Sequence, residues 1–374
     1  MWKYAILAGA LAVVTGWLPA GAAYEVGVTR ALPILGFLVA ITVLAELADI
    51  AGVFDAAADR CARLARGSTA ALFALVAVLA TATTIGMSLD TTAVLLTPVV
   101  LALTARLGLA PLPFALLVIW LANTASLLLP ISNLTNLLAL QHSRMSTVEF
   151  AGRMALPELV AVTVTVVFLA ILFRRKLIGR YEVPETTPPA DRIAFGSCVA
   201  ACLGFVVAVT AGVPPWLAAT LAALVALTVF AVRGRKHLRW SLFPWRLVLM
   251  TEGLFLLVAA LVQHGLGSLL TRWADHSALL TTLLAAGAGN LVNNLPAYLA
   301  METSVPAGSS HGLFEILLGT NIGPLVTMWG SLATLLWADR CRARGVRVRP
   351  ATFAAIGLAG MPLVLLGAWA ALQV

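Results

Sequence analysis

Residues 123 to 136 read Asn-Thr-Ala-Ser-Leu-Leu-Leu-Pro-Ile-Ser-Asn-Leu-Thr-Asn, inside a segment otherwise apolar enough to span a membrane. Three asparagines, two serines, two threonines and a proline therefore fall near mid-membrane, where every polar group needs a partner from protein or water. A continuous lipid-facing helix cannot supply those partners. The stretch implies a broken helix that lines a polar cavity.

The same design recurs at an offset of 198 residues: Asn123 falls on Asn321, Ala125 on Gly323, Ser126 on Pro324 and Leu134 on Leu332, with Thr327, Gly330, Ser331 and Thr334 among the polar or small positions. Upstream of each copy lies a second matched pair at an offset of 203, which sets the run from Gly86 to Thr92 against the run from Gly289 to Pro296. Two matched polar breaks in each half are the arrangement of secondary transporters, whose substrate site lies where the halves meet.

Composition agrees with a membrane solvent. The chain is 61% hydrophobic and 11% charged, with a mean hydropathy of +0.99, which places it among integral membrane proteins. Its net charge of +8 does not indicate nucleic acid, because the basic residues sit in short clusters between apolar spans, where they orient a chain in a bilayer. The four cysteines form no disulfide framework: Cys61 and Cys341 are expected in basic loops, and Cys198 and Cys202 are one helical turn apart within a span. The latter pair reads as packing, with thiol ligation of a soft metalloid as the alternative.

The expected fold is an all-α polytopic membrane protein made of inverted-topology repeats, each with a re-entrant hairpin and a broken transmembrane helix. The first repeat is 1–176, with its hairpin at 69–106 and broken helix at 112–140. A cytoplasmic linker with Pro184, Pro188 and Pro189 covers 177–192, and the second repeat is 193–374, with hairpin 277–301 and broken helix 313–338. Residues 4–22 are expected to form a first, uncleaved span, followed by a short loop with Glu25 and Arg30, a second span at 31–48 and an amphipathic surface helix at 54–66. Further spans are expected at 155–173, 193–211, 215–232, 246–264 and 351–372. The arms of the second hairpin are too short for the roughly 20 residues a crossing helix needs, and by analogy the first hairpin is read as re-entrant too.

Charge orients this layout. With the N-terminus in the cytoplasm, 20 of the 24 basic residues fall on the inner side, leaving Arg30, Arg144, Arg153 and Arg272 outside. The hairpins then enter from opposite faces, as alternating access about a midplane site requires.

No lysine or arginine occurs in 67–105, 107–143 or 277–338, and Asp90 is the only formal charge within 67–105 and 107–143, which hold the first hairpin up to Arg106 and the first broken helix. A lone carboxyl there is a candidate proton or cation carrier; the alternative is that it caps the second arm of its hairpin. Glu252, inside a span, is a second candidate for ion coupling. Glu46, Asp49 and Glu158 are further acids within apolar segments. The candidate substrate-binding residues are Asn123, Thr124, Ser126, Ser132, Asn133, Asn136, Asn290, Asn293, Asn294, Asn321, Thr327 and Ser331. They offer both donors and acceptors, which suits a small hydroxylated or oxyanionic solute; the competing reading is hydrogen bonding between helices. His264 and His311 are expected at outer edges, and Glu149, Glu302 and Glu315 at outer loops or span ends. No catalytic residue, metal site or cofactor is expected: the chain has no His-Glu-X-X-His, Gly-X-Ser-X-Gly or phosphate-loop run.

Five runs carry a family resemblance: Ala122-Asn-Thr-Ala-Ser-Leu, Ser132-Asn-Leu-Thr-Asn, Leu95-Leu-Thr-Pro, Asn293-Asn-Leu-Pro and Gly330-Ser-Leu-Ala-Thr-Leu-Leu-Trp. They resemble the arsenite and antimonite efflux permeases, the arsenical pump membrane proteins of the ion-transporter superfamily that also holds citrate, dicarboxylate and sodium/proton carriers. The resemblance covers nearly the whole chain. It departs from that branch at Leu89, where an asparagine is usual, at Asn321, where an acid is, and at Leu325, where a lysine is often found. It implies a plasma-membrane antiporter that exports arsenite or antimonite by coupling to protons. A carrier of a carboxylate or other inorganic anion, or a sodium/proton exchanger, is the alternative on the same fold. The partners are then a small anion or metalloid and the lipid bilayer, with a cytoplasmic ATPase subunit or a homodimer left open.

Overall fold

The computed structural model describes residues 2–183, 188–266, 277–306, 308, 310 and 312–374; Pro184, Arg272 and His311 lie outside the described residues. The described part is a bundle of helices, eight of them long and apolar enough to cross a membrane by length and composition. In chain order the helices are α1 (Trp2–Val14), α2 (Ala20–Ile50), α3 (Val53–Leu64), α4 (Thr69–Gly86), α5 (Leu89–Arg106), α6 (Pro111–Thr124), α7 (Leu134–Ser143) and α8 (Thr147–Leu172). The second half continues with α9 (Arg192–Thr210), α10 (Pro215–Arg233), α11 (Trp245–Leu261), α12 (Ala278–Val292), α13 (Asn294–Met301), α14 (Leu313–Ile322), α15 (Leu332–Ala343) and α16 (Pro350–Leu372).

The broken helices lie where the polar runs predict them. α6 stops at Thr124 and α7 resumes at Leu134; α14 stops at Ile322 and α15 resumes at Leu332. Both restarts follow a side-chain cap, Asn133 in one copy and Ser331 in the other, and these two positions are again 198 residues apart. The halves that precede the breaks form the centre of the bundle. Every residue of α6 from Pro113 to Thr124 is buried, as is nearly all of α14, the pattern of a helix surrounded on all sides by protein.

Three expectations are corrected. The first concerns 4–22, which is not one span: α1 ends at Val14, the chain turns through Gly16 at φ 74°, and Pro19 precedes the first turn of α2, where a missing N–H is tolerated. Glu25 and Arg30, expected in a loop, lie in a π-helical stretch of α2, Glu25–Arg30. The second concerns the hairpin register. The caps that open the second arms are Ser88 and Asn293, an offset of 205 rather than 203, so Asp90 has Leu295 as its structural counterpart and not Asn293. The third concerns Cys61 and Cys341, expected in basic loops: both lie in helices, in α3 and α15. Glu302, at the end of α13, is buried, 1% exposed, and pairs with Arg30.

The hairpins differ in length. The arms of the second have 15 and 8 residues, short of a bilayer crossing. Both arms of the first have 18, about 27 Å at 1.5 Å per residue, so length alone does not distinguish them from spans.

Packing elsewhere relies on close approach. α1 lies against α11, where a Cβ on Gly9 would meet Gly253 O at 2.7 Å and one on Gly253 would meet Ala5 O at 2.4 Å. On the expected cytoplasmic side, α3 is amphipathic, with Phe54, Ala58 and Ala62 buried, and Asp59 pairs with Arg106 at the end of the first hairpin. The start of the linker is pinned by Tyr181, whose hydroxyl donates to Ala62 O at 2.6 Å. Its end is capped by Asp191, which accepts from Arg233 Nε at 2.7 Å. That hydrogen bond, with the Ala194 and Ile193 amides, holds the Asp191 carboxyl below the usual carboxylate range.

Candidate functional site

Four helices begin at one place. α5 is capped by Ser88, which accepts from Thr91 N–H at 3.2 Å; α7 by Asn133, from Thr135 N–H at 3.3 Å; α13 by Asn293, from Leu295 N–H at 3.4 Å; and α15 by Ser331, from Thr334 N–H at 3.1 Å. Each cap satisfies one of the amides that a helix start leaves without a partner. The first residues of all four helices line a single cavity of about 30 Å³, which is room for about one water molecule. Its polar side chains are Asp90, Asn133, Thr251, Asn293 and Asn294.

Helix starts carry a partial positive charge of about half a unit each, and four converge here. Among the described residues, Asp90 is the only formal charge on the lining. The site therefore offers amide donors, amide and carboxylate acceptors and a positive dipole field, without a single cationic side chain. Such a lining can hold a small solute rich in hydroxyls, donating to Asp90 and accepting from asparagine and helix-start amides.

The tip of the second hairpin is under backbone strain. Asn293 has φ 93° and ψ 152°, a region nearly reserved for glycine. Its side chain donates to Trp329 O at 3.0 Å, and the Asn294 N–H donates to Gly330 O at 2.8 Å. The hairpin tip and the second break are thus tied together, which maintains the strained conformation.

At the breaks, Asn321 joins the two repeats. Asn321 Oδ1 accepts from Asn133 Nδ2 at 3.0 Å and from Thr135 Oγ1 at 2.9 Å, while Asn321 Nδ2 donates to Asn136 Oδ1 at 3.0 Å. Asn136 in turn donates to Ser126 O at 2.6 Å and Leu129 O at 3.1 Å, serving the bare carbonyls of the first break. Ser132 Oγ stitches that break to the first hairpin through Ile85 O at 3.0 Å.

The remaining sequence candidates lie apart from the cavity lining. Asn123 donates to Ile119 O at 2.9 Å, Thr124 to Trp120 O at 3.0 Å and Ser126 to Asn123 O at 2.9 Å, all within their own helix or its end. Asn290 closes the second break: it donates to Gly323 O at 2.7 Å and accepts from Thr327 N–H at 3.0 Å and Thr327 Oγ1 at 2.9 Å. Glu252 points away, and a Cβ on Gly27 of the π-helical stretch would lie 2.5 Å from Glu252 Oε1. Neither Cys198 nor Cys202 lines the cavity.

Sequence reasoning missed the wall formed by α11: Leu247, Met250, Thr251 and Leu254. Their spacing marks one helical face, and Glu252, about 100° further round the helix, faces elsewhere. That periodicity was the available signal, and the single charge of Glu252 masked it.

Comparison with known proteins follows the same lines. Residues 1–313 match the family model of the citrate transporter, CitMHS. The arsenical pump membrane protein of Yersinia enterocolitica is 29% identical over 331 residues, 80% of this chain and 76% of that protein. One from Escherichia coli is 28% identical over the same shares. Among solved structures, the YdaH transporter of Alcanivorax borkumensis, described as having an unusual topology, superposes with a TM-score of 0.55 at 13% identity, over 95% of this chain and 89% of that one; the likeness is one of fold.

Proposed function

The chain belongs to the citrate transporter family, and from that premise we propose that this multi-pass membrane transporter is a proton-driven exporter of trivalent arsenic or antimony as the hydroxide. The observation that carries the reading is the convergence of four helix starts and one carboxylate, Asp90, on a cavity with no lysine or arginine among the described residues. A neutral trihydroxide supplies three hydroxyl donors and three acceptors and needs no counter-charge. Asp90 carries the coupling proton, exposed in turn to either side of the membrane. The likeness to arsenical pump membrane proteins supports this substrate class.

The cavity of about 30 Å³ is too small for such a solute, so transport requires the hairpin tips to part. We read the chain as two inverted repeats, 1–176 and 193–374, joined by 177–192. The N-terminus and basic loops lie in the cytoplasm, in the plasma membrane, on the strength of the basic-residue asymmetry.

A second reading is a carboxylate carrier. The family description and the four positive helix starts favour an anion. A multiply charged carboxylate would enter this cation-free lining only with metal ions or protons accompanying it. Everted vesicles decide between them: arsenite accumulation that needs a proton gradient, with no citrate or succinate uptake, supports the first reading. Saturable uptake of a carboxylate without arsenite flux replaces it with the second.

A further inference from the structure

Glu158 lies outside the cavity, in α8, and is 4% exposed. Its Oε2 accepts the backbone N–H groups of Leu127 at 2.8 Å and Leu128 at 2.5 Å, two consecutive amides in the middle of the first break. The carbonyls of that stretch are held by a different residue, Asn136, which donates to Ser126 O, Leu127 O and Leu129 O. The unwound segment is thus gripped by its carbonyls from α7 and by its amides from α8.

The second break is closed differently. The offset of 198 carries Leu127 and Leu128 onto Leu325 and Val326, which pack beneath Gly357 of α16. A Cβ on Gly357 would lie 2.2 Å from Leu325 O and 2.7 Å from Val326 Cα. α16 carries no ionisable side chain. Besides the asparagine that serves each break, Asn290 in the second and Asn136 in the first, one repeat therefore adds backbone against backbone and the other a carboxylate.

No cation balances that carboxylate among the described residues. Of the elements packed on α8, helices α4, α6 and α16 and the turn at Pro130–Ser132 have no titratable side chain. α9 brings Cys198, Cys202 and, at its start, Arg192. The basic run Arg174, Arg175 and Lys176 follows α8 about four turns beyond Glu158. Glu149 and Arg153 lie on α8 itself, towards its start.

We propose that Glu158 is a positioning residue of the transport cycle: ionised, it holds the first break at Leu127 and Leu128; taking up a proton, it releases that break, while the break beneath Gly357 stays fixed. The inference rests on the proton-driven reading above. A carboxylate accepts amide hydrogen bonds about twice as strongly as a neutral oxygen, and the protonated acid spends one oxygen as a donor. A proton from water thus loosens two backbone contacts at once. The repeats then differ in duty, the first break responding to protons and the second serving as its fixed counterpart.

The test needs no substrate. In nanodiscs, and in a background with the native cysteines replaced, Leu128→Cys and Val326→Cys are labelled with a maleimide, and the ratio of the two rates is followed. The ratio is expected to rise about tenfold or more between about pH 9.5 and about pH 5, a window wide enough to carry a buried carboxyl from its ionised to its protonated form. With Glu158→Gln, which keeps one acceptor and fixes the neutral state, the ratio is expected to be high throughout. A ratio unaffected by pH with Glu158 present, or a Gln variant that keeps the full pH response, overturns the proposal. A second measurement uses no cysteine. Arsenite export by Glu158→Gln is expected to lose its dependence on cytoplasmic pH while arsenite binding is retained, and a profile matching the unaltered protein counts against the role. Because labelling is independent of the solute, a failed arsenite assay with a pH-dependent ratio rejects the substrate and leaves Glu158 in place.

Discussion

Asn321 Oδ1 accepts a hydrogen bond from Asn133 Nδ2 at 3.0 Å, so the end of one broken helix is joined directly to the start of the other across the two repeats. Asn123, the repeat mate of Asn321, makes no such contact: its Nδ2 bonds to its own helix and its Oδ1 is buried without a partner among the described residues. Matching positions in the repeats have thus diverged in duty.

Asn321→Leu is expected to destabilise the protein more than Asn123→Leu. The first strands Asn133 Nδ2, Thr135 Oγ1 and Asn136 Oδ1, at about 1–3 kcal/mol for each buried group left unpaired; the second removes an acceptor that already lacks a donor. Thermal unfolding in detergent measures the difference, and equal losses would return both residues to one shared role.

Asp90→Asn is expected to retain solute binding and downhill exchange and to lose accumulation driven by a proton gradient. It keeps size and hydrogen bonding while removing the one formal charge that the described residues bring to the cavity. If the variant still concentrates arsenite with unchanged pH dependence, Asp90 serves the helix start and not the coupling.

Asn293→Gly and Asn293→Ala separate backbone from side chain at the strained hairpin tip. Glycine relieves a conformation that costs about 1–3 kcal/mol for other residues, offsetting the lost bond to Trp329 O; alanine keeps the strain and loses the bond. The glycine variant is therefore expected to unfold at the higher temperature of the two, and the reverse order would locate the stabilisation in the side chain.

Gly357→Ala is expected to abolish folding or expression, since its Cβ would fall 2.2 Å from Leu325 O and two backbones cannot part without moving α16. Gly36→Ala, on an exposed face of α2 with nothing within 4 Å, is expected to be neutral or slightly stabilising. Expression level and detergent melting temperature check both.

A cysteine placed at Arg347, in a background lacking the native cysteines, is expected to react with an impermeant thiol reagent in everted vesicles but not in intact cells. Labelling from outside intact cells would reverse the orientation drawn from the basic residues.

Much of this architecture is a local property of the chain. Apolar length demands helices that cross a bilayer, polar runs inside them demand breaks, and the cap residues Asn133 and Ser331 mark where helices resume, because an oxygen next to a bare amide is a short-range requirement. The offset of 198 residues was legible for the same reason. Tertiary structure alone decided which polar groups meet. Asn123 and Asn321 look equivalent in sequence, yet only Asn321 faces Asn133; Asn290 looks like a site residue and instead clamps Thr327. The second hairpin slipped by two residues against its sequence alignment, since the strained turn at Asn293 is maintained by Trp329 and Gly330, far along the chain. Glu158 showed only as an acid in an apolar helix. Its partners are backbone amides, which every residue possesses and no sequence pattern distinguishes, so its place at Leu127 and Leu128 emerged only once α8 was packed against the first break.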